Sequence, residues 1–525
     1  MKAILLVDEK LTLLEWQSQA LDLAAKSGLE ISGILQCSNP LYKKDFKKFL
    51  YYIFALVSRR RIRSCSKINI QDSQWHKVPV FPFNAETQGI WQSIPEEVFA
   101  QLEPSEVLIK FGMNLLSKVE TIPTKYGVLS YHHGDPEEYR GRPAGFYEIL
   151  KSSTKIGIIV QQLNSTLDGG RILSRSYAKV FKHSYALTLE RAFHNGIPLL
   201  AQALSSLVSQ TSVETTKQGP IYRLPTNRSV IYLSVKIAIA KVERILYGAF
   251  VEKRWNVGFV EASGILTGDN QIPEPFTILP IPKDSTFVAD PVGAYQGGIL
   301  CELLDSRSGK GRIGFWDGNI WKRIELPFGS SHISYPQVLA TDSGGYLFPE
   351  ISKAQGPTLL KIKSLESSDF EAISLQGLEN QRILDGTLFE HQGYWYLFGG
   401  NPESSADILR LWVSDDLFGI FREHPSSPIA IDPEFARMAG QIHKQDGKIF
   451  RFAQDCSVIY GGKVSIQEIE DLTPTSYKER RVGSLEVSVG KGPHTILFNN
   501  GKMYFDYFTE KFTPLAGVRR LLAKL

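Results

Sequence analysis

The chain has 525 residues, more than one hydrophobic core can organise, so two or more domains are expected. Apolar residues make up 43% and charged residues 22%, an ordinary balance for a globular protein. A net charge of +4 is too small for this length to indicate a nucleic-acid-binding protein. The four cysteines are scattered without CxxC or metal-ligand spacing, which argues against a disulfide framework or a cysteine metal site and favours a reducing cytoplasm.

The amino terminus predicts a β-strand and not a signal peptide. Its apolar run covers only residues 3–7, and Asp8 and Glu9 follow at once. No stretch of the sequence reaches the length of a transmembrane helix. We therefore expect a cytoplasmic protein.

Residues 42–63 combine apolar and basic side chains. A nine-residue apolar run is flanked on both sides by lysines or arginines, and apolar residues at positions 46, 50, 53, 54 and 57 fit one helical face. We favour a domain helix with a solvated cationic rim. The alternative is a basic amphipathic helix that attaches the protein peripherally to the inner membrane face.

The first 120 residues alternate β-like and helical runs. Residues 3–7, 31–35 and 107–110 predict strands, and residues 13–27 predict a helix with a period of 3.6. This alternation predicts a doubly wound, Rossmann-like α/β domain over residues 1–185, with ligands at the carboxyl ends of its strands. No GxGxxG motif follows the first strand, so a dinucleotide cofactor is not expected.

Residues 185–208 and 229–250 have helical patterns, with a polar stretch at 211–220 between them. We interpret residues 186–250 as a helical connector. Beyond residue 280, a turn glycine followed by an aromatic strand recurs five times, at steps of 47 to 54 residues. About four short strands per repeat predict an all-β, five-bladed β-propeller over residues 251–525. An irregular β-sandwich is the alternative.

Two segments of the first domain carry side chains suited to catalysis. A strand ending at residues 130–132 presents the Ser130 hydroxyl and the His132 imidazole on one side. Asp168 stands in a tight Leu-Asp-Gly-Gly turn, where it can meet that histidine. A histidine and a carboxylate at strand ends suit general acid–base catalysis and oxyanion stabilisation. His132 could also be a buried structural histidine.

These segments resemble the family of folate-dependent formyltransferases, which includes methionyl-tRNA formyltransferase and glycinamide ribonucleotide transformylase. The family has an Asn-x-His strand end, a Tyr-Arg-Gly-x-x-Pro-like turn and a Leu-Asp-x-Gly element. The residues that match here are His132, Tyr139, Arg140, Gly141 and residues 167–170. The resemblance covers residues 1–185 and is strongest over 105–175.

The resemblance implies a catalytic pair, a donor site and an acceptor site. His132 would polarise the formyl group, and Asp168 would help to remove the proton of the attacking amine. The formyl donor would be 10-formyltetrahydrofolate, and no metal is implied. The implied folate-binding residues are Phe111, Gly112, Met113, Asn114, Leu115 and Leu116. The implied substrate-binding residues are His133, Tyr139, Arg140, Arg142, Tyr147 and Glu148.

Ser130 departs from the family, which has asparagine at this position. A hydroxyl is a shorter oxyanion donor than an amide, and the loss of one such donor lowers rates by about a hundredfold or more. His133 is the obvious candidate to compensate. Because the rest of the motif is intact, we expect catalysis to be retained.

The repeats resemble the sugar-binding propellers of glycoside hydrolases and the amino-terminal domain of plant glucosaminyl inositolphosphoryl-ceramide transferases. Carboxylates across a propeller channel could hydrolyse a glycosidic bond, but we favour glycan binding. The residues expected to face the channel are Asp290, Glu350, Asp385, Arg437, Asp455 and His494.

Together the two resemblances imply N-formylation of an amino sugar, nucleotide- or lipid-linked, in surface glycan biosynthesis. No nucleic-acid partner is expected, because no strongly basic carboxyl-terminal domain follows. The alternative is a glycan-binding or glycosyl-processing protein whose formyltransferase domain is catalytically degenerate.

Overall fold

The computed structural model describes residues 1–39, 45–213, 217–262, 264–265, 267–295, 297–352, 354 and 356–522. The chain forms two compact units, Met1–Glu243 and Arg244–Leu525, called unit 1 and unit 2 below. Unit 1 is α/β and unit 2 is almost entirely β. Within the described ranges, no helix is both long and apolar enough to cross a membrane.

Unit 1 alternates short strands and helices. Its strands are β1 Lys2–Asp8, β2 Thr12–Leu14, β3 Glu30–Cys37, β4 Lys67–Asn69, β5 Val80–Phe83, β6 Glu86–Gln88, β7 Trp91–Ser93, β8 Val107–Lys110, β9 Leu115–Leu116, β10 Val128–His132, β11 Arg140–Gly141, β12 Lys155–Gln162, β13 Arg171–Lys179 and β14 Ile221–Tyr222. Its helices are α1 Glu15–Lys26, α2 Phe49–Arg59, α3 Glu96–Phe99, α4 Phe146–Lys151, α5 Tyr185–Gly196, α6 Leu199–Ser209 and α7 Asn227–Phe250, which runs across the boundary between the units. Short 3-10 turns span Phe46–Lys48, Arg63–Cys65, Ile70–Asp72 and Val119–Thr121.

A seven-stranded sheet in the order β13-β12-β10-β8-β1-β3-β5 organises unit 1. The five strands from β10 to β5 are parallel, whereas β12 and β13 are antiparallel. Residues 3–7 of β1 are all buried, as expected of a central strand with both faces covered. The carboxyl ends of β1, β8 and β10 therefore lie at one edge of the sheet, where ligands bind in doubly wound folds.

Residues 185–209 differ from the predicted connector. They form α5 and α6, which pack on β12 and β13 and belong to unit 1. Their buried side chains repeat every three or four residues, because one face of each helix covers the sheet. The start of α7 is attached in the same way, through buried Val230, Leu233 and Ile237.

Unit 2 follows the end of α7 with strands that pair mainly antiparallel, and it ends in one short helix. The elements are β15 Val251–Glu261, β16 Gly268–Gln271, β17 Thr277–Ile278, β18 Ser285–Gly293, β19 Ile299–Asp305, β20 Gly311–Trp316, β21 Trp321–Ile324, β22 Ile333–Thr341, β23 Gly344–Ile351, β24 Thr358–Ser364, β25 Asp369–Ser374, β26 Leu384–His391, β27 Tyr394–Gly400, β28 Ile408–Ser414, β29 Arg422–Glu423, β30 Ala430–Ile431, β31 Arg437–Met438, β32 His443–Gln445, β33 Lys448–Gln454, β34 Val464–Leu472, β35 Tyr477–Glu486, β36 Ile496–Asn499, β37 Lys502–Phe512 and α8 Ala516–Leu522.

These strands form five sheets within the described part of unit 2. Three follow one another along the chain as β18–β21, β22–β25 and β26–β30. The fourth contains β31–β35 with β16 at its edge, and the fifth has the order β17-β15-β37-β36. The fifth sheet therefore pairs the first strand of the unit with its last, along eleven residue pairs from Val251–Phe512 to Glu261–Lys502.

Five apolar clusters connect these sheets in a cycle. One cluster joins Tyr346 of the second sheet to Trp412 of the third, and another joins Phe398 of the third to Ile469 of the fourth. Equivalent clusters join the fourth sheet to the fifth, the fifth to the first and the first to the second. Each sheet thus buries both faces against neighbours, and no sheet has an apolar core of its own.

Deletion of residues 490–525 should unfold all of unit 2. The truncation removes β36 and β37, so β15 loses its longest strand pairing and two apolar clusters lose side chains of the fifth sheet. Urea unfolding followed by circular dichroism should then show only the transition of unit 1. A chain that ends at residue 512 keeps the β15–β37 pairing and is the control. A truncated chain that retained a cooperative unit 2 transition would show that closure is not required.

Candidate functional site

His132 and Asp168 meet at the edge of the unit 1 sheet. His132 is the last residue of β10, and Asp168 lies in the turn between β12 and β13. Both are largely buried, and the His132 Nδ1 and Asp168 Oδ1 atoms are 3.4 Å apart. The structure therefore brings together the two residues that the sequence marked for acid–base catalysis.

The imidazole of His132 is fixed in orientation by the main chain. Its Nε2 lies 2.9 Å from the carbonyl oxygen of Tyr139, which can only accept a hydrogen bond, so Nε2 carries the hydrogen. A Cβ atom at Gly134 would lie 2.8 Å from this Nε2, so only glycine fits there. Nδ1 is consequently the nitrogen that can gain or release a proton, and it faces Asp168.

Asp168 is held by the same segment. Its backbone is left-handed, with φ of 47°, and its Oδ2 accepts a 2.7 Å hydrogen bond from the Gly141 N–H. The buried Arg140 side chain donates to the Leu167 carbonyl and to Gln218. Residues 139–141 therefore position both the histidine and the carboxylate. The role of Arg140 in this geometry is structural.

Ser130 and Lys110 lie beside this pair. Ser130 pairs with Lys110 across the parallel β8–β10 ladder, so both side chains project to the side of the sheet that carries His132. The Ser130 hydroxyl makes a long contact of 3.4 Å to the Tyr131 carbonyl. The Lys110 ammonium donates to the Met113 carbonyl at 3.2 Å. Burial lowers the pKa of Lys110 to about 8, although Asp8 and Asp168 favour its charged form.

Lys110 was not among the residues singled out from the sequence. The available signal was a lysine that ends the otherwise apolar strand Val-Leu-Ile-Lys. Its proximity to Ser130 depends on the order and register of β8 and β10, which the sequence does not state.

His133 lies on the opposite side of β10 from His132. Its ring packs at 5.1 Å from Trp16 and 4.8 Å from Phe193. Burial lowers the pKa of His133 to about 3, so the ring is neutral near pH 7. Successive strand residues alternate faces, so His133 points away from the site. It is therefore placed neither to donate to an oxyanion nor to contact a substrate there.

The segment 111–116 is held rigidly next to β1. The N–H groups of Phe111 and Gly112 donate to the Leu6 carbonyl, and that of Met113 donates to the Asp8 carboxylate at 2.7 Å. A Cβ at Gly112 would lie 2.3 Å from the Asp8 nitrogen, so glycine is required for this close approach. The Asn114 N–H donates to Gln92.

The end of this segment, β9, has an open main-chain edge. Leu115 and Leu116 pair with β7 on one side only, because β9 is the edge strand of the sheet β6-β7-β9. An edge strand presents N–H and C=O groups that can bind a flat heterocycle with matching donors and acceptors. The segment that the sequence predicted to bind folate therefore ends in a strand with one unpaired main-chain edge.

The remaining predicted substrate residues have mixed surroundings. The Tyr139 hydroxyl bonds Ser153, and the half-buried Tyr147 donates to the Arg223 carbonyl. Arg142 is exposed. Glu148 is buried at the start of α4, where burial raises its pKa to about 7, so it is not presented to a ligand.

A cavity of about 210 Å³ opens next to the carboxyl ends of β1 and β8. Asp8, Gly112 and the start of α1 form one part of its wall. Lys10, Arg59 and Lys67 add three cationic side chains from separate parts of the chain. Sequence reasoning did not identify these residues as a group, because only the fold brings them together.

In unit 2, three residues share one backbone conformation, and two of them, Asp290 and Asp385, were predicted from the sequence to face the channel. Asp290, Tyr335 and Asp385 all have left-handed φ angles, of 51°, 43° and 50°. Each lies at a register irregularity within the first strand of its sheet, and proline or glycine follows it. Strained backbone held at equivalent places is typical of functional sites.

Asp290, His494 and Asp506 form a buried network. The His494 Nδ1 lies 2.6 Å from Asp506 Oδ2, and the Asp290 N–H donates to Asp506. Asp290 itself accepts from the Tyr335 N–H and the Thr495 hydroxyl. Burial lowers the pKa of His494, but the two carboxylates outweigh it and raise the pKa above its ordinary value. The three side chains could hold a metal ion by distance alone, but hydrogen bonds already occupy them.

Asp385, Arg437 and Glu350 form a second polar group. The Arg437 guanidinium is 2.5 Å from Asp385 and lies 5.0 Å from the Tyr460 ring centre. Glu350 accepts from the Asp385 N–H, and burial with the neighbouring carboxylate raises its pKa to about 7. The Tyr460 hydroxyl contacts His494 Nε2 at 3.2 Å, which joins the two groups.

Asp455 stands apart from the hydrogen bonds of those groups. Its carboxylate accepts from the N–H and hydroxyl of Ser457, and Lys463 lies 3.6 Å away. Sequence reasoning missed Asp506 and Tyr460. The signal for Asp506 was a lone carboxylate within the aromatic strand Met-Tyr-Phe-Asp-Tyr-Phe.

Comparisons with known proteins agree with both resemblances. Residues 278–503 match the family model described as glucosamine inositolphosphorylceramide transferase 1, N-terminal. The glucosamine inositolphosphorylceramide transferase 1 of Oryza sativa subsp. japonica is 30% identical over 210 residues, covering 37% of this chain and 28% of that protein. A methionyl-tRNA formyltransferase of Ehrlichia canis is 26% identical over 129 residues, 24% of this chain and 42% of that protein. The chain thus spans less than half the length of these relatives.

Solved structures show two weaker likenesses. One is the N-formyltransferase of Helicobacter canadensis in complex with folinic acid and dTDP-3-aminofucose (11% identity, 46% of this chain and 82% of that chain, TM-score 0.29). The other is a GH43 β-xylosidase/α-arabinofuranosidase from a compost metagenome (14% identity, 43% and 90%, TM-score 0.31). The resemblances to formyltransferases and to the plant transferase domain are confirmed. The folds of units 1 and 2 follow from the strand pairings of this chain and do not depend on these two likenesses.

Proposed function

We propose that unit 1 is an N-formyltransferase that transfers a formyl group from 10-formyltetrahydrofolate to the amine of an amino sugar. The observation that carries this proposal is the His132–Asp168 pair, held at 3.4 Å by one rigid segment at the ligand-binding edge of the sheet. The open edge of β9 supports folate as the donor. The bound folate would supply the formyl carbon that the amine attacks.

The paired side chains suit the proton movement that this reaction needs. A neutral amine that attacks a formyl carbon must lose a proton, and the oxygen of that carbon gains negative charge. Asp168 is placed to accept the amine proton, directly or through a water. His132 Nδ1 can hold a proton next to the same carboxylate, so the pair can retain it until the departing nitrogen needs it.

We propose that Lys110 performs the oxyanion role that asparagine has in the resembled family. Ser130 at that position has only a short hydroxyl, whereas Lys110 adds a partly buried cation on the same side of the sheet. A cation in a water-poor site stabilises developing negative charge more than a neutral donor does. The serine and the lysine would act together.

The acceptor proposed here carries a phosphate, as a nucleotide-linked or lipid-linked amino sugar does. Lys10, Arg59 and Lys67 line the cavity beside Gly112, and they outnumber its two acids, Asp8 and Glu9. Cationic side chains from three separate elements favour an anionic ligand. Such an acceptor would place the reaction in the biosynthesis of a glycan.

Asp168→Asn and His132→Ala should each abolish formyl transfer without unfolding the chain. Asparagine keeps the shape of Asp168 and an oxygen for the Gly141 N–H but cannot accept a proton. Transfer from 10-formyltetrahydrofolate to a panel of nucleotide amino sugars is the assay, with urea unfolding and folate binding as controls. Full activity in either variant would rule out this mechanism. A wild-type chain that bound no folate would favour a degenerate domain beside a glycan-binding unit.

Lys110→Met should lower the rate about a hundredfold, and Ser130→Ala about tenfold or more. Ser130→Asn should retain or raise the rate, and Ser130→Asn combined with Lys110→Met should recover part of the loss. The rate of the wild type should fall as the pH rises through about 8, because Lys110 then loses its proton. The double variant should lack this fall. Unchanged kinetics in Lys110→Met would assign the oxyanion to another group.

For unit 2 we infer a five-bladed propeller that binds a glycan at the mouth of its centre. The five sheets, the five clusters that join them in a cycle and the first-to-last pairing support the propeller. Binding is favoured over hydrolysis because Asp290 and Asp385 are occupied by hydrogen bonds or an ion pair. The cavity next to Asp290 and Tyr335 is only about 10 Å³, room for about one water, so a sugar would bind outside it.

Tyr460→Ala should weaken glycan binding at least tenfold, because the exposed ring of Tyr460 lies beside Arg437 where a sugar could stack. Tyr394→Ala is the matched control, since Tyr394 is 37% exposed against 41% for Tyr460 and does not belong to the central network. Calorimetry with hits from a glycan array is the measurement. Equal loss in both variants would contradict this site, and release of reducing sugar would show hydrolysis in place of binding.

A further inference from the structure

Helix α2 presents its apolar side to solvent. Phe49, Ile53, Leu56 and Val57 are 43%, 54%, 56% and 49% exposed. Their spacing of four, three and one residues places them on one face of the helix. A helix of a globular domain ordinarily turns such a stripe inward, so this exposed face needs a partner.

The opposite side of α2 is already used for packing in unit 1. Phe54 contacts the rings of Phe146 and Tyr185, at 6.1 and 5.0 Å between ring centres. The Leu50 N–H donates to Asn227. The exposed stripe is therefore a fixed feature of a docked helix and does not result from a helix that failed to pack.

Helix α7 adds a second stripe beside the first. Ile231, Val235, Ile239 and Val242 are 52–56% exposed, while Val230, Leu233 and Ile237 on the other side are buried. A groove of about 460 Å³ runs between the helices, lined on one side by residues of α2 such as Ile53 and on the other by residues of α7 such as Val235. The two stripes form one continuous area, here called the α2–α7 surface.

The charges around the α2–α7 surface are predominantly positive, although α7 carries one exposed acid, Glu243, next to Val242. Residues 45–63 contain a single acid, Asp45. The same stretch carries six bases, of which all but Lys48 are exposed; they are Lys47, Lys48, Arg59, Arg60, Arg61 and Arg63. Large apolar side chains ringed by lysine and arginine are complementary to a layer that is apolar inside and anionic at its surface.

We propose that the α2–α7 surface docks unit 1 on an anionic lipid bilayer. The apolar stripes would enter the boundary between headgroups and acyl chains, and the arginines after α2 would pair with lipid phosphates. A second copy of this chain is a poorer occupant, because it would bring two sets of these bases together. The proposal does not depend on formyl transfer, although it would place a lipid-linked acceptor close to unit 1.

The test is sedimentation of the full chain with vesicles. We expect binding to phosphatidylcholine vesicles that contain about 30% phosphatidylglycerol, weaker binding at high salt, and little binding to pure phosphatidylcholine. The combined variant Ile53→Glu, Leu56→Glu and Val57→Glu should lower the partition coefficient at least tenfold. Arg60→Glu with Arg61→Glu and Arg63→Glu should do the same, and it leaves Arg59 of the cavity unchanged.

Val208→Glu is the matched control. Val208 is 68% exposed on α6, outside the α2–α7 surface, and its substitution should leave vesicle binding unchanged. Thermal unfolding of each variant establishes that it is folded. The proposal is overturned if the wild type does not bind anionic vesicles, or if Val208→Glu loses binding as much as the combined Ile53, Leu56 and Val57 variant. It is also overturned if light scattering shows a dimer that this combined variant dissociates.

Discussion

The geometry of unit 1 depends on how three consecutive residues, 139–141, are held. Their main chain donates to Asp168 and accepts from His132, and the Arg140 side chain ties the segment to the turn at Leu167. Strand β11, formed by two of these residues, also pairs with β14. The end of β10 and the turn between β12 and β13 thus present a proton-carrying pair in one orientation. A site positioned by main-chain contacts tolerates surface variation better than one positioned by flexible side chains.

In the proposed function, the serine at the position where the formyltransferases have asparagine would be compensated from the neighbouring strand. In isolation, Ser130 suggests a weakened site. Lys110, at the paired position of β8, supplies a cation whose pKa burial has lowered to about 8. A group near its pKa at neutral pH can stabilise charge and also respond to pH. In this proposal a serine hydroxyl and a lysine ammonium together replace the single asparagine amide as oxyanion donors.

Unit 2 is organised around a carboxylate that no motif marks. Asp506 is fully buried and accepts hydrogen bonds from the N–H groups of Asp290, His494 and Thr495. It lies on the last strand, while Asp290 lies on the first strand of another sheet. The last strand therefore closes the unit by pairing with β15 and also brings Asp506 to Asp290. A buried carboxylate that satisfies several donors is costly to remove, which makes Asp506 a structural requirement.

The sequence alone determined the kinds of elements and the chemistry of the main pair. Short apolar runs predicted the strands β1, β3 and β8, and a period of 3.6 predicted the helix α1, because a central parallel strand buries both faces whereas a helix at the surface of a domain buries one. The spacing of glycines gave five repeats. The Leu-Asp-Gly-Gly turn and the strand end at His132 are local features, and a single sequence can show them.

Only the tertiary structure decided which residues meet. Strand order puts Lys110 beside Ser130. The alternation of faces at the end of β10 directs His133 toward an aromatic cluster. The packing of α5 and α6 on the sheet makes this part of the expected connector belong to unit 1. Likewise the pattern of residues 42–63 predicted an amphipathic helix but not which side would face inward. Local periodicity records that a face is apolar, whereas its burial depends on neighbours tens or hundreds of residues away. That is why α2 could be predicted as a helix and its exposed stripe could not.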